Sequence, residues 1–121
     1  MKIQESAENY LEAILKISKK NNVVRSIDIA NELSITKPSV SVAMKNLREN
    51  GYINMDKNGY LTLLPAGLEI AERIYERHNL ITDMLIKLGV SEDVAAVDAC
   101  RIEHIISTET FEAFKKYIQS K

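Results

Sequence analysis

The chain has 121 residues, 45% of them hydrophobic, enough to bury one core or two small packed ones. With 16 Lys and Arg against 17 Asp and Glu, the formal charge of −1 excludes a globally basic nucleic-acid coat, so any DNA contact has to come from a local patch. Met1-Lys2-Ile3 runs straight into polar Gln4-Glu5-Ser6 without a signal-peptide pattern, and no apolar run is long enough to span a bilayer. One cysteine excludes an intrachain disulfide, and a cytoplasmic protein whose thiol stays reduced is expected.

From Ser6 to Ser18, Ala7, Tyr10, Leu11, Ile14, Leu15 and Ile17 recur at helical spacing, which predicts an amphipathic first helix ended by Lys19-Lys20-Asn21-Asn22. Ser26 is the expected N-cap of a short helix over 27–33, with Ile27, Ile29, Ala30 and Leu33 inward and a tight turn at Ser34-Ile35. Thr36 is expected to cap a third helix with Pro38 in its first turn, where a missing N–H does no harm. Val40, Ala43, Met44 and Leu47 mark its buried stripe, and Asn50-Gly51 its stop.

Tyr52-Ile53-Asn54-Met55 and Tyr60-Leu61-Thr62-Leu63 alternate like strands about the turn signal Asp56-Lys57-Asn58-Gly59. Three helices and a hairpin in this order predict a winged helix-turn-helix. Pro65 then opens a long helix toward Leu88, with Ile70, Ala71, Ile74, Leu80, Ile81, Met84 and Leu85 apolar and Gly89 closing it. Ser91 caps a helix reaching Ile106, and a last helix covers about 108–118. The expected fold class is therefore mainly α.

A short helix, a tight turn and a second helix beginning Thr36-Lys37-Pro38-Ser39-Val40-Ser41 form the usual frame for placing a helix N-terminus in the major groove. The hydroxyls of Thr36, Ser39 and Ser41 suit close approach to phosphates, Lys37, Lys45 and Arg48 add positive charge, and Lys57 at the hairpin tip would reach backbone across the minor groove. The plain alternative is a winged helix used for protein contacts, with Thr36 only a cap and the lysines ordinary solvated charges.

In the helix from Ser91 to Ile106, Cys100, Glu103 and His104 fall at i, i+3 and i+4 and project from one stripe. A thiolate, a carboxylate and an imidazole on one face make half of a coordination shell for a late first-row divalent metal, and His78, on the preceding helix, is placed to complete it. The alternative is a small hydrophobe, a surface carboxylate and structural imidazoles, with His78 bonded to a backbone carbonyl.

The run Glu8-Asn9-Tyr10-Leu11-Glu12-Ala13-Ile14, the stretch Lys37-Pro38-Ser39-Val40-Ser41 with Leu47 and Gly51-Tyr52, Arg77-His78, and the segment from Asp98 to Ser107 resemble the diphtheria toxin repressor and manganese transport regulator family almost end to end. The resemblance implies an N-terminal winged helix-turn-helix, residues 1–64, followed by a helical dimerisation and metal-binding domain, residues 65–121, of the short type without an SH3-like domain. It also implies a homodimeric repressor of palindromic operators in metal-uptake promoters, with Fe(II) or Mn(II) as co-repressor. By the family pattern His78, Glu103 and His104 are ligands, and Cys100 stands where iron-responsive members have Cys and manganese regulators have Glu. Asn9 occupies the first-helix ligand position, where manganese members usually have Asp, and an amide is a weaker ligand than a carboxylate. Glu12 matches a carboxylate serving a second metal, its alternative being a solvated helix charge. Ala96 and Thr82 fall where a separated second site would need His and Glu, so one site, or a close pair through Glu12, is expected. Val42 sits where some iron members have a base-reading Gln.

A metal joining the two halves would restrict their relative orientation and shift a pre-existing equilibrium toward dimers whose recognition helices match successive major grooves. Operator DNA should reciprocally tighten metal binding, and because Cys100 and His104 must lose protons to bind, activation should weaken in acid. Leu80, Ile81, Met84, Leu85, Leu88 and Val90 exceed what one short helical hairpin covers, which predicts a C2 dimer interface there. Three rivals stand beside this reading: a metal-independent winged-helix dimer, a protein adaptor, and a metalloenzyme with an open coordination position. The last lacks an evident general base or oxyanion donor set, so no enzyme activity, small-molecule substrate or membrane partner is expected.

Overall fold

The computed structural model describes residues 5–120, as helices α1 (Glu5–Lys20), α2 (Ser26–Leu33) and α3 (Lys37–Glu49), strands β1 (Ile53–Met55) and β2 (Leu61–Leu63), and helices α4 (Pro65–Lys87), α5 (Glu92–Ile105) and α6 (Thr108–Gln119). They fall into two compact units, one ending at Glu72 and one beginning at Arg73.

In the N-terminal unit the apolar stripe of α1, Leu11, Ile14, Leu15 and Ile17, is buried with Ile29, Val40, Met44, Leu47, Ile53 and Leu61 from the elements that follow. Ser26 is not the cap of α2. Arg25 takes the extended cap conformation, its N–H donates to the Asp28 carboxylate at 2.9 Å, and Ser26 is already helical. That register leaves Ile27 in the first turn at 37% exposure, so it does not point inward as expected, whereas Ile29 and Ala30 do. Ser34 closes α2 in the left-handed region (φ 56°), where the Ile35 N–H reaches back to the Ala30 carbonyl. Thr36 caps α3 as expected, accepting from the Ser39 N–H at 3.3 Å.

The wing is an antiparallel pair in the register Ile53↔Leu63, Asn54↔Thr62 and Met55↔Leu61, and the Leu61 N–H also donates to the Val24 carbonyl at 2.7 Å. Its turn holds itself together: the Asp56 carboxylate accepts from the N–H groups of Asn58 and Tyr60, and Gly59 supplies the positive φ. At the start of α4, a Cβ on Gly67 would lie 2.1 Å from the Tyr52 carbonyl oxygen and 3.4 Å from a Leu11 methyl. Only glycine lets the helix approach that backbone so closely.

The C-terminal unit comprises the later turns of α4 with α5 and α6. Gly89 ends α4 at φ 106°, with the Gly89 N–H bonded to Ile86 and the Val90 N–H to Leu85, a Schellman closure. Ser91 has cap dihedrals but its side chain accepts no hydrogen bond, while Ser107 caps α6 by accepting from the Thr110 N–H at 3.1 Å. Ile74, Ile81, Ala95, Ala99 and Phe111 are buried, together with Arg77 and Glu103. At the surface Lys115 pairs with Glu76 at 2.9 Å, a bond that holds the lysine amine above its usual range but, being exposed, adds little stability.

Candidate metal centre and nucleic-acid face

The buried stripe of α5 runs Ala95, Ala99, Glu103, one residue per turn. Two alanines let a neighbouring helix approach closely, and at the third position a carboxylate sits with no solvent exposure. Burying an ionised carboxylate is costly unless charge or hydrogen bonds compensate it, so a glutamate on this stripe requires partners. His78 on α4 supplies one, its Nδ1 lying 2.9 Å from Glu103 Oε2. His104, on α5 itself and with its side chain 1% exposed, brings Nε2 to 3.4 Å from Oε1. The candidate ligand atoms of Cys100, Glu103 and His104 all lie within 4.8 Å of one another.

These residues fit a divalent cation. Glu103 Oε1 is buried without a hydrogen-bond partner, the kind of orphaned acceptor that native interiors rarely tolerate and that a cation satisfies. Sulfur, oxygen and two imidazole nitrogens form a borderline donor set, suited to first-row metals rather than to calcium or magnesium. Among the ligands expected from the sequence, the structure therefore groups Cys100, Glu103 and His104 in the C-terminal unit and sets His78 against Glu103.

Asn9 and Glu12 belong to the N-terminal unit, Asn9 half-buried and Glu12 only 6% exposed on α1. The buried Glu12 is not the solvated helix charge of the alternative reading.

Arg77 escaped the sequence reading as more than a neighbour of His78. It is 7% exposed, and its guanidinium donates to the carbonyl oxygens of Glu103 and Ile106, both at 3.1 Å. The available signal was its position in the series Ile70, Ile74, Arg77, Ile81, where helical spacing calls for an apolar residue.

On α3 and the wing, Thr36, Lys37, Pro38, Ser39, Ser41, Lys45 and Lys57 are all exposed. The Thr36 hydroxyl also donates to the Ser39 hydroxyl at 2.9 Å, so both belong to the cap as well as to the surface. Val42, 62% exposed among them, adds an apolar spot to the outer face of α3. Of the expected pairing residues, Leu88 is 74% exposed and Leu80, Met84 and Leu85 are half-buried, whereas Ile81 is fully buried in its own chain and presents no surface. Val94, Val97, Ile105 and Tyr117 are further large apolar groups left open in this unit.

Two family models match. The iron dependent repressor N-terminal DNA binding domain covers residues 2–61, and the iron dependent repressor metal binding and dimerisation domain covers residues 64–120. The transcriptional regulator MntR of Salmonella typhimurium is 33% identical over 116 residues, 96% of this chain and 74% of its own. An uncharacterized HTH-type transcriptional regulator of Methanocaldococcus jannaschii is 33% identical over 119 residues, 97% of this chain and 95% of that one. The solved structure of the manganese regulator SloR matches at a TM-score of 0.84 and 26% identity, covering 100% of this chain and 56% of that one. A manganese-dependent transcriptional repressor in complex with manganese shares the fold at a TM-score of 0.86 and 23% identity, covering 93% of this chain and 52% of that one. The chain thus spans about half the length of these two solved relatives. With both domain models matched in order, and the expected winged helix and ligand-bearing helices present, the chain belongs to the iron-dependent repressor family.

Proposed function

We propose that this chain is a metal-activated transcriptional repressor, not an enzyme, which binds palindromic operators of metal-uptake genes as a homodimer with Fe(II) or Mn(II) as co-repressor. One observation carries the reading: His78, Cys100 and His104 gathered about the buried Glu103, which keeps an orphaned carboxylate oxygen, in a chain whose other unit exposes a lysine-bearing helix-turn-helix. The relatives named as manganese-dependent repressors and as MntR support the choice of metal and of role. No helix among the described residues is long and apolar enough to cross a membrane, and a regulator of this kind works in the cytoplasm, where its DNA is.

Each part has a physical task. Glu103 and the imidazoles of His78 and His104 are held in place before loading, because Glu103 is immobilised at a buried position and touches both rings. A bound divalent ion supplies the positive charge that a buried carboxylate and a thiolate together call for. Asn9 and Glu12 of α1 are further proposed ligands, a role that the family pattern supports. On DNA, the N-terminal turn of α3, with Lys37, Pro38, Ser39 and Ser41, would enter the major groove, Lys45 would meet phosphate, and Lys57 at the wing tip would meet the backbone beyond. Leu80, Met84, Leu85 and Leu88 would contribute to pairing.

The test is a gel-shift of the full chain on its own upstream DNA under anaerobic conditions, with iron, manganese, zinc and chelator compared. Iron- or manganese-dependent retardation that chelator abolishes is expected. Equal affinity with and without chelator would establish instead a metal-independent winged-helix dimer, and no salt-dependent DNA binding in any lane would leave a protein adaptor.

A further inference from the structure

Arginine is among the residues least often buried, yet Arg77 occupies a core position of α4 with its guanidinium spent on another helix. One nitrogen, Nη1, donates to the Glu103 and Ile106 carbonyl oxygens at 3.1 Å each, Nη2 reaches the Thr108 hydroxyl at 3.4 Å, and the planar group lies 5.4 Å from the centre of the Phe111 ring. The carbonyls in the last turn of a helix have no N–H donors within the helix and carry the negative end of its dipole, so a cationic fork is well matched to the end of α5. A lysine would place one point charge where arginine spans several acceptors.

The neighbouring residue gives this clamp its meaning. Arg77 holds the backbone of Glu103 while His78, next along α4, holds its carboxylate at 2.9 Å. A helix gripped at both main chain and side chain of one residue cannot turn about its axis or slide by a residue, and each residue of slip would rotate the side chains by roughly 100°. We propose that Arg77 is a positioning residue of the metal centre, which fixes the rotation and register of α5 so that Glu103 meets His78, with Cys100 and His104 clustered beside it, before an ion arrives. This rests on the metal reading above.

Anaerobic titration of the full chain with Co(II) tests it, because cobalt reports affinity and, through its sulfur-to-metal absorption band, the placement of the Cys100 thiolate. Arg77→Lys is expected to weaken cobalt binding by about 10–100-fold, the range for residues that orient ligands, and to shift or weaken that band. Glu76→Gln, which breaks the surface tie from α4 to Lys115 of α6 and leaves Glu103 untouched, should match the parent in both respects. Thr108→Val, removing one guanidinium partner at an exposed position, should weaken binding severalfold. A folded Arg77→Lys chain with parental affinity and spectrum would overturn the inference while leaving the metal centre intact. So would an Arg77→Lys chain that fails to fold beside a Thr108→Val chain that binds cobalt as the parent does. A parent chain that binds no cobalt would remove both readings.

Discussion

A carboxylate with no solvent exposure and one oxygen without a hydrogen bond is costly to keep in a folded protein, and Glu103 keeps both liabilities. In the metal-free protein, Glu103→Gln removes a charge from a buried position while preserving volume, so thermal stability without metal should hold or rise in a melting experiment. In the same variant metal affinity should fall by at least about 100-fold, beyond the range typical of residues that only orient ligands. These opposite signs distinguish a ligand from a packing residue, which would lose stability and leave binding alone. Cys100→Ser should discriminate among metals: the harder hydroxyl should cost iron and cobalt more affinity than manganese, measured by competition titration.

Among the elements, α3 and the start of α4 make separate demands. The exposed Lys37 in the first turn of α3 is placed for phosphate contact, so Lys37→Ala should weaken binding about equally on different DNA sequences and reduce the slope of log affinity against log salt by about 1. A variant that instead relaxed base preference would put Lys37 on a base edge. Gly67 is a packing requirement. An added methyl would meet the Tyr52 carbonyl at 2.1 Å, so helix or backbone must shift, and Gly67→Ala should cost about 1–3 kcal/mol in chemical denaturation despite alanine's better helix propensity. An unchanged or raised midpoint would mean that α4 has room to move there.

At the scale of the whole molecule, a single chain leaves Leu88, Val94, Val97, Ile105 and Tyr117 open to solvent at 51–77% exposure, all in the C-terminal unit. Scattered apolar groups are normal on a surface, but several on one small helical unit suit burial against a second copy. Leu88→Glu should shift the dimer toward monomer in sedimentation, weakening operator binding more than it lowers the stability of the chain, because Leu88 supports little of the internal core. A variant that remained dimeric would move the pairing surface away from the end of α4.

Short-range sequence pattern determined α1, α3 and α4, the Thr36 cap, the hairpin turn and the i, i+3, i+4 grouping of Cys100, Glu103 and His104, because these depend on residues a few positions apart. Where a residue's role depends on distant chain, the reading went astray or stayed silent. Ile81 looked like an interface residue until the fold buried it completely, whereas the one-residue shift of the α2 cap from Ser26 to Arg25 was a local misreading, settled by the Arg25 N–H donating to Asp28. Arg77 entered only as the neighbour of His78, because the arrival of α5 and α6 is what gives its guanidinium acceptors to hold. Local periodicity sets which face of a helix is apolar, whereas the partners of a buried polar group are chosen by the packing of elements far apart in sequence.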